Sequence, residues 1–134
     1  MPKYTIKEIS SLLNIPASTL RYYENIGLLN NVERNSTKQR IYTKEHINKL
    51  KAIACFKGTG MTISMIQTFF TYESKENEHI DDILSLLSEQ KDNIEKQLNQ
   101  IKNDMKHIER KLKYYSHMKK SIEKNETPPS WDDY

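Results

Sequence analysis

The apolar positions near the start of the chain recur at helical spacing. One face of the first predicted helix carries Ile6, Ile9, Leu12 and Leu13. Thr5 and Glu8 have the spacing of a capping box, in which each side chain bonds the backbone N–H of the other residue. A second helical stretch follows Pro16 and should end near Gly27, because glycine accepts the left-handed conformation found just past a helix end. Two short helices joined by so tight a turn predict a helix-turn-helix.

The helical period disappears over residues 30–42. Two short β-prone pieces, around Val32 and around residues 41–42, flank a polar tip, and this pattern predicts a hairpin wing. A helix capped by a threonine is then predicted over residues 43–56, where two glycines follow. A further short helix is expected over residues 62–70.

A seven-residue repeat begins after residue 79. Its first series holds Ile80, Leu87, Ile94, Ile101, Ile108, Tyr115 and Ile122. Its second series, four residues later each time, holds Leu84, Lys91, Leu98, Met105, Leu112 and Lys119. Such a repeat predicts one long coiled-coil helix, and a single helix cannot bury its own apolar stripe. The chain has no second helix of comparable length, so we expect the apolar members from Ile80 to Tyr115 to contact another copy.

These elements predict a mainly α-helical chain with a winged helix-turn-helix module followed by a long dimerising helix. The expected divisions are a DNA-binding domain at residues 1–73, a polar linker at 74–79, a dimerisation helix at 80–122 and an irregular tail at 123–134. Two prolines, Pro128 and Pro129, interrupt the tail. Its Trp131 and Tyr134 should either pack on another surface or stay loose.

The net charge of +3 over 134 residues hides an asymmetry. Residues 1–60 carry ten Lys or Arg against four Asp or Glu, whereas residues 61–134 carry eleven against fourteen. A basic segment attracts polyanions by counterion release, so any nucleic-acid contact is expected in the first 60 residues. No run approaches the roughly 20 apolar residues of a membrane span, and the N-terminus lacks the apolar core of a signal peptide. With one cysteine, no intramolecular disulfide is possible, and we expect a cytoplasmic protein without membrane contact.

The second predicted helix and the wing hold the candidate DNA contacts. Arg21 lies one to two turns into that helix, where a helix in the major groove presents side chains to base edges or phosphates. Ser18 and Thr19 lie near the helix N-terminus, which favours phosphate; local capping is the alternative role. On the wing, the candidate contacts are Arg34, Lys38, Arg40 and Tyr42, which would position the protein along the DNA backbone.

The segment TLRYYENIGLL, the basic wing and the long heptad helix occur in the order seen in one protein family. The residues that carry this likeness are Thr19, Leu20, Arg21, Tyr22, Tyr23, Glu24, Gly27 and Leu28, with Arg40 and Tyr42 at the end of the wing. The chain from about residue 3 to residue 120 resembles the MerR family of transcriptional regulators. The resemblance implies double-stranded promoter DNA as the target. It also implies Tyr23 as a phosphate contact and Tyr22 near the DNA. The alternative is that one of the two tyrosines is a core residue without a DNA contact.

The resemblance also implies how such a regulator works. An antiparallel coiled coil would join two copies into a homodimer with one winged module at each end. The dimer would bend and untwist a promoter with an overlong spacer so that RNA polymerase can engage it, which is recognition partly by deformation. The sequence leaves open whether the protein activates or represses, and which genes it controls.

Cys55 is the candidate sensor residue. Lys51 and Lys57 are close to it in sequence, and nearby cations favour the reactive thiolate. The segment CFKGTGM resembles the single-cysteine branch of the family typified by AdhR and NmlR, which implies a response to aldehydes or electrophiles. The alternative is a small buried hydrophobe among Ile53 and Phe56.

Other classes of function find little support in the sequence. No nucleophile–base constellation, phosphate-binding glycine loop or metal-ligand spacing occurs, so neither an enzyme nor a cofactor is expected. The alternatives are a coiled-coil interaction protein, an architectural DNA-binding protein without an inducer, and a regulator controlled by a partner at its tail. A small pocket near the dimer junction would use Met61, Met65, Phe69 and Phe70, whose helical spacing is more typical of core residues.

Overall fold

The computed structural model describes residues 2–134 and confirms the mainly helical architecture. In chain order the elements are α1 (Ile6–Leu13), α2 (Ala17–Asn25), β1 (Glu33–Arg34), β2 (Arg40–Ile41), α3 (Lys44–Gly58), α4 (Ile63–Glu73), α5 (Glu76–Glu123) and a 3-10 turn (Trp131–Asp133). The chain divides into two compact units, one ending at Gln90 and the other covering Lys91–Tyr134. In the part of the chain that is described, no helix is long and apolar enough to cross a membrane.

The helix-turn-helix forms from local signals in the sequence. Thr5 and Glu8 make the predicted capping box, with the N–H of each residue donating to the side-chain oxygen of the other at 3.1 Å. Asn14 ends α1 in the left-handed conformation, with φ of 54°. After α2 the chain turns at Gly27, whose φ of +78° favours glycine.

The wing is a two-stranded antiparallel hairpin, as predicted. Its strands pair Glu33 with Ile41 and Arg34 with Arg40. The side chain of Asn35 orders the tip, since its Oδ1 accepts from the backbone N–H groups of Thr37 and Gln39, both at 3.0 Å. At the base of the wing, a short bridge between Tyr4 and Tyr42 attaches the hairpin to the segment before α1.

The first unit is built around one apolar core. The fully or nearly buried apolar residues are Ile9, Leu20, Tyr23, Leu28, Leu29, Tyr42, Ile47, Leu50, Ile53, Met61 and Ile66. Phe56 and Phe69 pack edge to face with ring centroids 4.8 Å apart. The amide of Gln67 donates to the carbonyl oxygen of Ile26 at 2.8 Å and thereby ties α4 to the end of α2.

The start of α5 differs from the expected linker at residues 74–79. The helix begins at Glu76 and is interrupted only by the non-helical dihedrals of His79. The His79 ring stacks on Tyr72 at 5.0 Å, and its Nδ1 lies 3.0 Å from a carboxylate oxygen of Asp82. Further along α5, the buried Gln90 donates to the carbonyl oxygen of Thr59 at 2.8 Å. The first unit therefore extends beyond the expected boundary at residue 73 to Gln90. His79 contacts Tyr72 of α4, and Gln90 bonds Thr59, the residue that follows α3.

In the second unit, the tail after α5 carries a short 3-10 turn at Trp131–Asp133 and folds back on α5. Trp131 lies against the cationic groups of Lys111 and Arg110, at 3.8 and 4.9 Å from its ring centroids. The hydroxyl of Tyr114 donates to the carbonyl oxygen of Pro129 at 3.3 Å, and Tyr134 contacts the His117 ring nitrogen. The tail therefore has a defined position on the helix of its own chain.

Candidate nucleic-acid interface

One face of α2 is open to solvent while the other is fixed in the core. Leu20 is fully buried, and its burial sets the rotation of the helix. Ser18, Arg21 and Tyr22 are exposed, at positions that share one side of a helix. An exposed, firmly held helix face of this kind is what major-groove recognition requires.

The N-terminus of α2 adds a site suited to phosphate. Its N-cap is Pro16, which makes no side-chain capping bond. The backbone N–H groups of Thr19 and Leu20 donate to the Pro16 carbonyl oxygen at 3.0 and 3.2 Å. Because no side chain caps the helix, its positive dipole end stays available to an anion. Ser18 is exposed beside this end, and Thr19 is half-buried.

The three basic side chains of the wing differ in exposure and in hydrogen bonding. Arg34 and Lys38 are both exposed, and a guanidinium nitrogen of Arg34 donates to the Lys38 carbonyl oxygen at 3.1 Å. Arg40 is half-buried, and its Nε donates to a carboxylate oxygen of Glu24 on α2. Arg34 and Lys38 are thus placed to meet a phosphate backbone, whereas Arg40 positions the wing against α2.

Breaking the Arg40–Glu24 pair should loosen the wing. We expect either Arg40→Ala or Glu24→Ala to lower the free energy of unfolding by about 1 kcal/mol, since both side chains are largely shielded from water. The double variant should cost less than the sum of the two single changes, which a double-mutant cycle in urea unfolding measures. Strictly additive losses would contradict the coupling of wing and helix.

The two tyrosines of α2 have opposite exposures. Tyr22 is 50% exposed, whereas Tyr23 is only 5% exposed. The Tyr23 hydroxyl lies 3.5 Å from Nζ of Lys57, which also lies 6.0 Å from its ring centroid. This geometry favours the alternative in which one tyrosine packs in the core: Tyr23 is the buried side chain, and Tyr22 is the more exposed of the two.

Tyr42 was also expected to contact DNA, and the structure contradicts this. Its side chain is fully buried, and its hydroxyl has no hydrogen-bond partner among residues 2–134. Burial raises the pKa of the Tyr42 hydroxyl above its ordinary value, and the nearby Glu24 carboxylate adds to the rise. Tyr42 therefore supports the wing from the core.

Tyr42→Phe provides the test of this correction. The variant should bind DNA normally and be as stable as the original chain or about 1 kcal/mol more stable at neutral pH, because it removes a buried hydroxyl without a partner. In the original chain, the raised pKa of Tyr42 means that folding favours the protonated phenol. The stability that this preference gives is complete below about pH 10 and is lost as the pH rises through the folded-state pKa. Urea unfolding between pH 8 and 11 should show a smaller alkaline loss in the variant. A large loss of DNA affinity would restore Tyr42 as a contact.

His46 is a positioning residue that the sequence analysis missed. Its side chain is buried, and the backbone N–H of Thr43 donates to its Nδ1 at 3.0 Å. Its Nε2 lies 2.8 Å from the carbonyl oxygen of Asn30, so Nε2 must carry the hydrogen. The ring thereby caps α3 and holds the loop that leads into the wing. The sequence did contain a signal for this role. Thr43 and His46 have the spacing of a capping box, with histidine at its last position.

Cys55 lies on α3 with an exposed, free side chain. Lys51, one helical turn earlier, and Lys57 are exposed as well. This exposure excludes the alternative in which Cys55 is a small buried core residue. Met61 and Phe69 are buried, and Met65 and Phe70 pack partly buried on the core, so this set serves packing.

The apolar seam of α5 is exposed to solvent in the described chain, residues 2–134. We use the term seam for its eleven apolar members, Ile80, Leu84, Leu87, Ile94, Leu98, Ile101, Met105, Ile108, Leu112, Tyr115 and Ile122. Each is between 38% and 65% exposed. So continuous an exposed apolar stripe marks an interaction surface.

Over residues 2–134, no group of three or more potential ligands is arranged to hold a metal ion.

Comparison with known proteins identifies relatives across most of the chain. Residues 4–73 match the family model described as MerR HTH family regulatory protein. An HTH-type transcriptional regulator of Haemophilus influenzae is 32% identical over 116 residues, which cover 87% of this chain and 86% of that protein. The HTH-type transcriptional regulator AdhR of Bacillus subtilis is 25% identical over 89 residues, covering 66% and 64% of the two chains.

Two solved structures extend the similarity to the fold. HiNmlR, described as a MerR family regulator lacking the sensor domain and bound to promoter DNA, shares 31% identity with a TM-score of 0.76. The aligned region covers 88% of this chain and 89% of that one. A MerR family regulator from Bacillus thuringiensis shares 29% identity with a TM-score of 0.68, covering 83% and 97%.

Proposed function

The chain belongs to the MerR HTH family of regulatory proteins and is a DNA-binding transcriptional regulator, and we propose that it acts on promoters as a homodimer. In this proposal, α2 of each copy enters the major groove and the wing follows the phosphate backbone. The observation that carries it is the exposed face of α2, where Arg21 and Tyr22 stand opposite the core-bound Leu20. We propose the cytoplasm as its compartment, because promoter DNA is its proposed target.

The exposed seam supports the proposed homodimer. Eleven exposed apolar side chains at heptad positions favour a second α5 as the covering surface. Dimerisation brings two basic modules to one DNA duplex, and the two sets of contacts then reinforce each other. We further propose that the dimer distorts its promoter and so controls access of RNA polymerase, as the resemblance implies.

Titration of the purified protein against a labelled duplex from upstream of its own gene tests the proposal. Fluorescence anisotropy at 50–300 mM salt should give an affinity that falls steeply with salt, because several Lys and Arg side chains release counterions from phosphates. A scrambled duplex of equal length should bind at least about 1,000-fold more weakly. Equal affinity for both duplexes would favour the architectural alternative, and no binding would favour the coiled-coil interaction protein.

Cys55 carries the proposal that the regulator responds to aldehydes or other electrophiles. Its thiol is exposed and two exposed lysines are near it in sequence, so small electrophiles can reach it. We expect Cys55→Ala to abolish induction by an aldehyde in a promoter fusion assay while leaving DNA binding unchanged. Mass spectrometry should find the adduct on Cys55 in the original protein. If the variant still responds, sensing does not use this thiol.

A further inference from the structure

The side of α5 that points away from the seam is basic near the end of the helix. We use the term outer face for the helix positions farthest from the seam between residues 106 and 121. They carry four cations, two histidines and no carboxylate: Lys106, His107, Arg110, Lys113, Tyr114, His117, Lys120 and Ser121. The four cations, which we call the basic strip, are all exposed and extend over about 20 Å of helix. The acidic balance of residues 61–134 as a whole conceals this strip.

The charges of the basic strip are not balanced on the helix itself. A solvated helix face usually mixes both signs, whereas here the signs are separated along the chain. The equivalent positions earlier on α5 include Asp82, Glu89 and Asp92. Among residues 2–134, no carboxylate lies within ion-pair distance of a cation of the strip. A row of like charges without partners repels itself and favours an anionic partner.

The tail that folds back on this face carries the opposite charge. Residues 125–134 contain no Lys or Arg and three acidic residues, Glu126, Asp132 and Asp133. Two aromatic rings anchor the tail: Trp131 and Tyr134 pack edge to face on Tyr114, with ring centroids 5.3 and 5.5 Å apart. The anchors are thus apolar, and the carboxylates between them are free to act by charge.

The anchored rings bring one tail carboxylate beside the basic strip. Asp133 and Tyr134 line an open depression of about 420 Å³ together with Arg110, Lys113 and His117 of α5. The Arg110 guanidinium lies 4.9 Å from a ring centroid of Trp131 and makes no ion pair with Asp133. The tail therefore lowers the positive potential of the strip and leaves its cations open to a stronger anion.

We propose that the basic strip is a second binding surface for the phosphate backbone of double-stranded DNA, and that the acidic tail competes with DNA for it. The chain is a DNA-binding regulator, so a duplex is the polyanion that it meets. Exposed Lys and Arg side chains contact phosphates without reading sequence, so the strip binds DNA of any sequence. A strip without its tail would hold the protein on non-specific DNA. The tail thereby favours the promoter over the excess of other sites.

Neutralising the tail tests the competition. Asp132→Asn with Asp133→Asn removes two negative charges and keeps the aromatic anchors Trp131 and Tyr134. Fluorescence anisotropy with a short scrambled duplex at about 50 mM salt should show an affinity about fivefold higher than that of the original chain. The gain should shrink as salt is added, because salt screens the tail and the strip alike. If the variant binds the scrambled duplex no more tightly than the original chain, the tail does not compete and the inference fails.

Removing cations tests the strip itself. Lys106→Ala with Lys113→Ala should weaken binding of the scrambled duplex about tenfold at low salt. It should also lower the slope of log affinity against log salt by about 2, because each phosphate contact contributes about 0.9. In this background, neutralising the tail should no longer raise the affinity.

The matched control removes two exposed lysines outside the strip. Lys75→Ala with Lys96→Ala makes the same change in net charge and should weaken binding by no more than about twofold, because distant exposed charges are screened. Equal losses in the two pairs would mean that only net charge acts, and the strip would not be a binding surface.

These outcomes are separate from promoter recognition. All of these variants keep Arg21 and the exposed face of α2, so they should still bind the promoter more tightly than the scrambled duplex. Failure of the strip or of the tail in these experiments would leave that preference intact. An original chain without any preference for the promoter would contradict the proposed function instead.

Discussion

Replacing Leu98 and Ile101 together by aspartate should convert the protein to monomers and nearly abolish its binding to promoter DNA. Both side chains are about half exposed on the single chain and would be buried by a second copy. Each dimer would lose four apolar contacts of about 1.5–3 kcal/mol and would have to bury four carboxylates. We therefore expect dimerisation to weaken at least about 1,000-fold, as measured by analytical ultracentrifugation.

The matched control is Asn103→Asp, which places a negative charge on the opposite side of the same helix. This variant should remain dimeric and bind the promoter with unchanged affinity. The aspartate double variant should keep its first unit folded, because the core of that unit does not contain the seam. Retained tight promoter binding by a proven monomer would show that the second copy is dispensable for recognition.

Arg21→Ala should weaken promoter binding at least about 30-fold. A guanidinium that contacts a base edge or phosphate contributes about 1–3 kcal/mol, and a homodimer loses this contact in both copies. The side chain is exposed, so its removal should leave the free energy of unfolding almost unchanged. Fluorescence anisotropy with specific and scrambled duplexes separates two roles. A base contact lowers only the specific affinity, whereas a phosphate contact lowers both and reduces the salt dependence.

Lys96→Ala, which removes a positive charge from the outer face of α5, controls for the change in net charge. We expect it to bind the promoter like the original protein. An equal loss of affinity in both variants would mean that Arg21 acts only through net charge. Unchanged binding by Arg21→Ala at all salt concentrations would remove α2 from the proposed interface.

Features set by neighbouring residues could be predicted from the sequence. The capping box of Thr5 and Glu8 and the turn at Gly27 depend on local backbone chemistry, and both occur as expected. The heptads of α5 are a long periodic signal, so the existence of the helix was clear. The first residue of α5 could not be predicted in the same way. The polar composition of residues 74–79 resembles a linker and does not reveal the contacts of His79 with Tyr72 and Asp82.

The functional side chains were harder to place because tertiary packing decides their exposure. Tyr22 and Tyr23 are chemically identical neighbours, and only the rotation of α2 on the core determines which side chain is exposed. In the sequence, Arg40 is one more basic residue of the wing, and nothing indicates that the fold pairs it with Glu24. An aromatic residue that ends a basic strand, as Tyr42 does, suits either a DNA contact or a core position. Sequence alone offers no physical reason to choose between these roles.

The folded-back tail places a natural fluorescent probe, Trp131, on the second unit. The chain has a single tryptophan, Trp131, and its indole lies against Lys111, Arg110 and the rings of Tyr114 and His107. Its emission should report whether the end of α5 and the tail are intact and should be silent about the winged module. Tryptophan fluorescence and helical circular dichroism, followed together during denaturation, can therefore distinguish loss of the tail and helix end from melting of the DNA-binding unit.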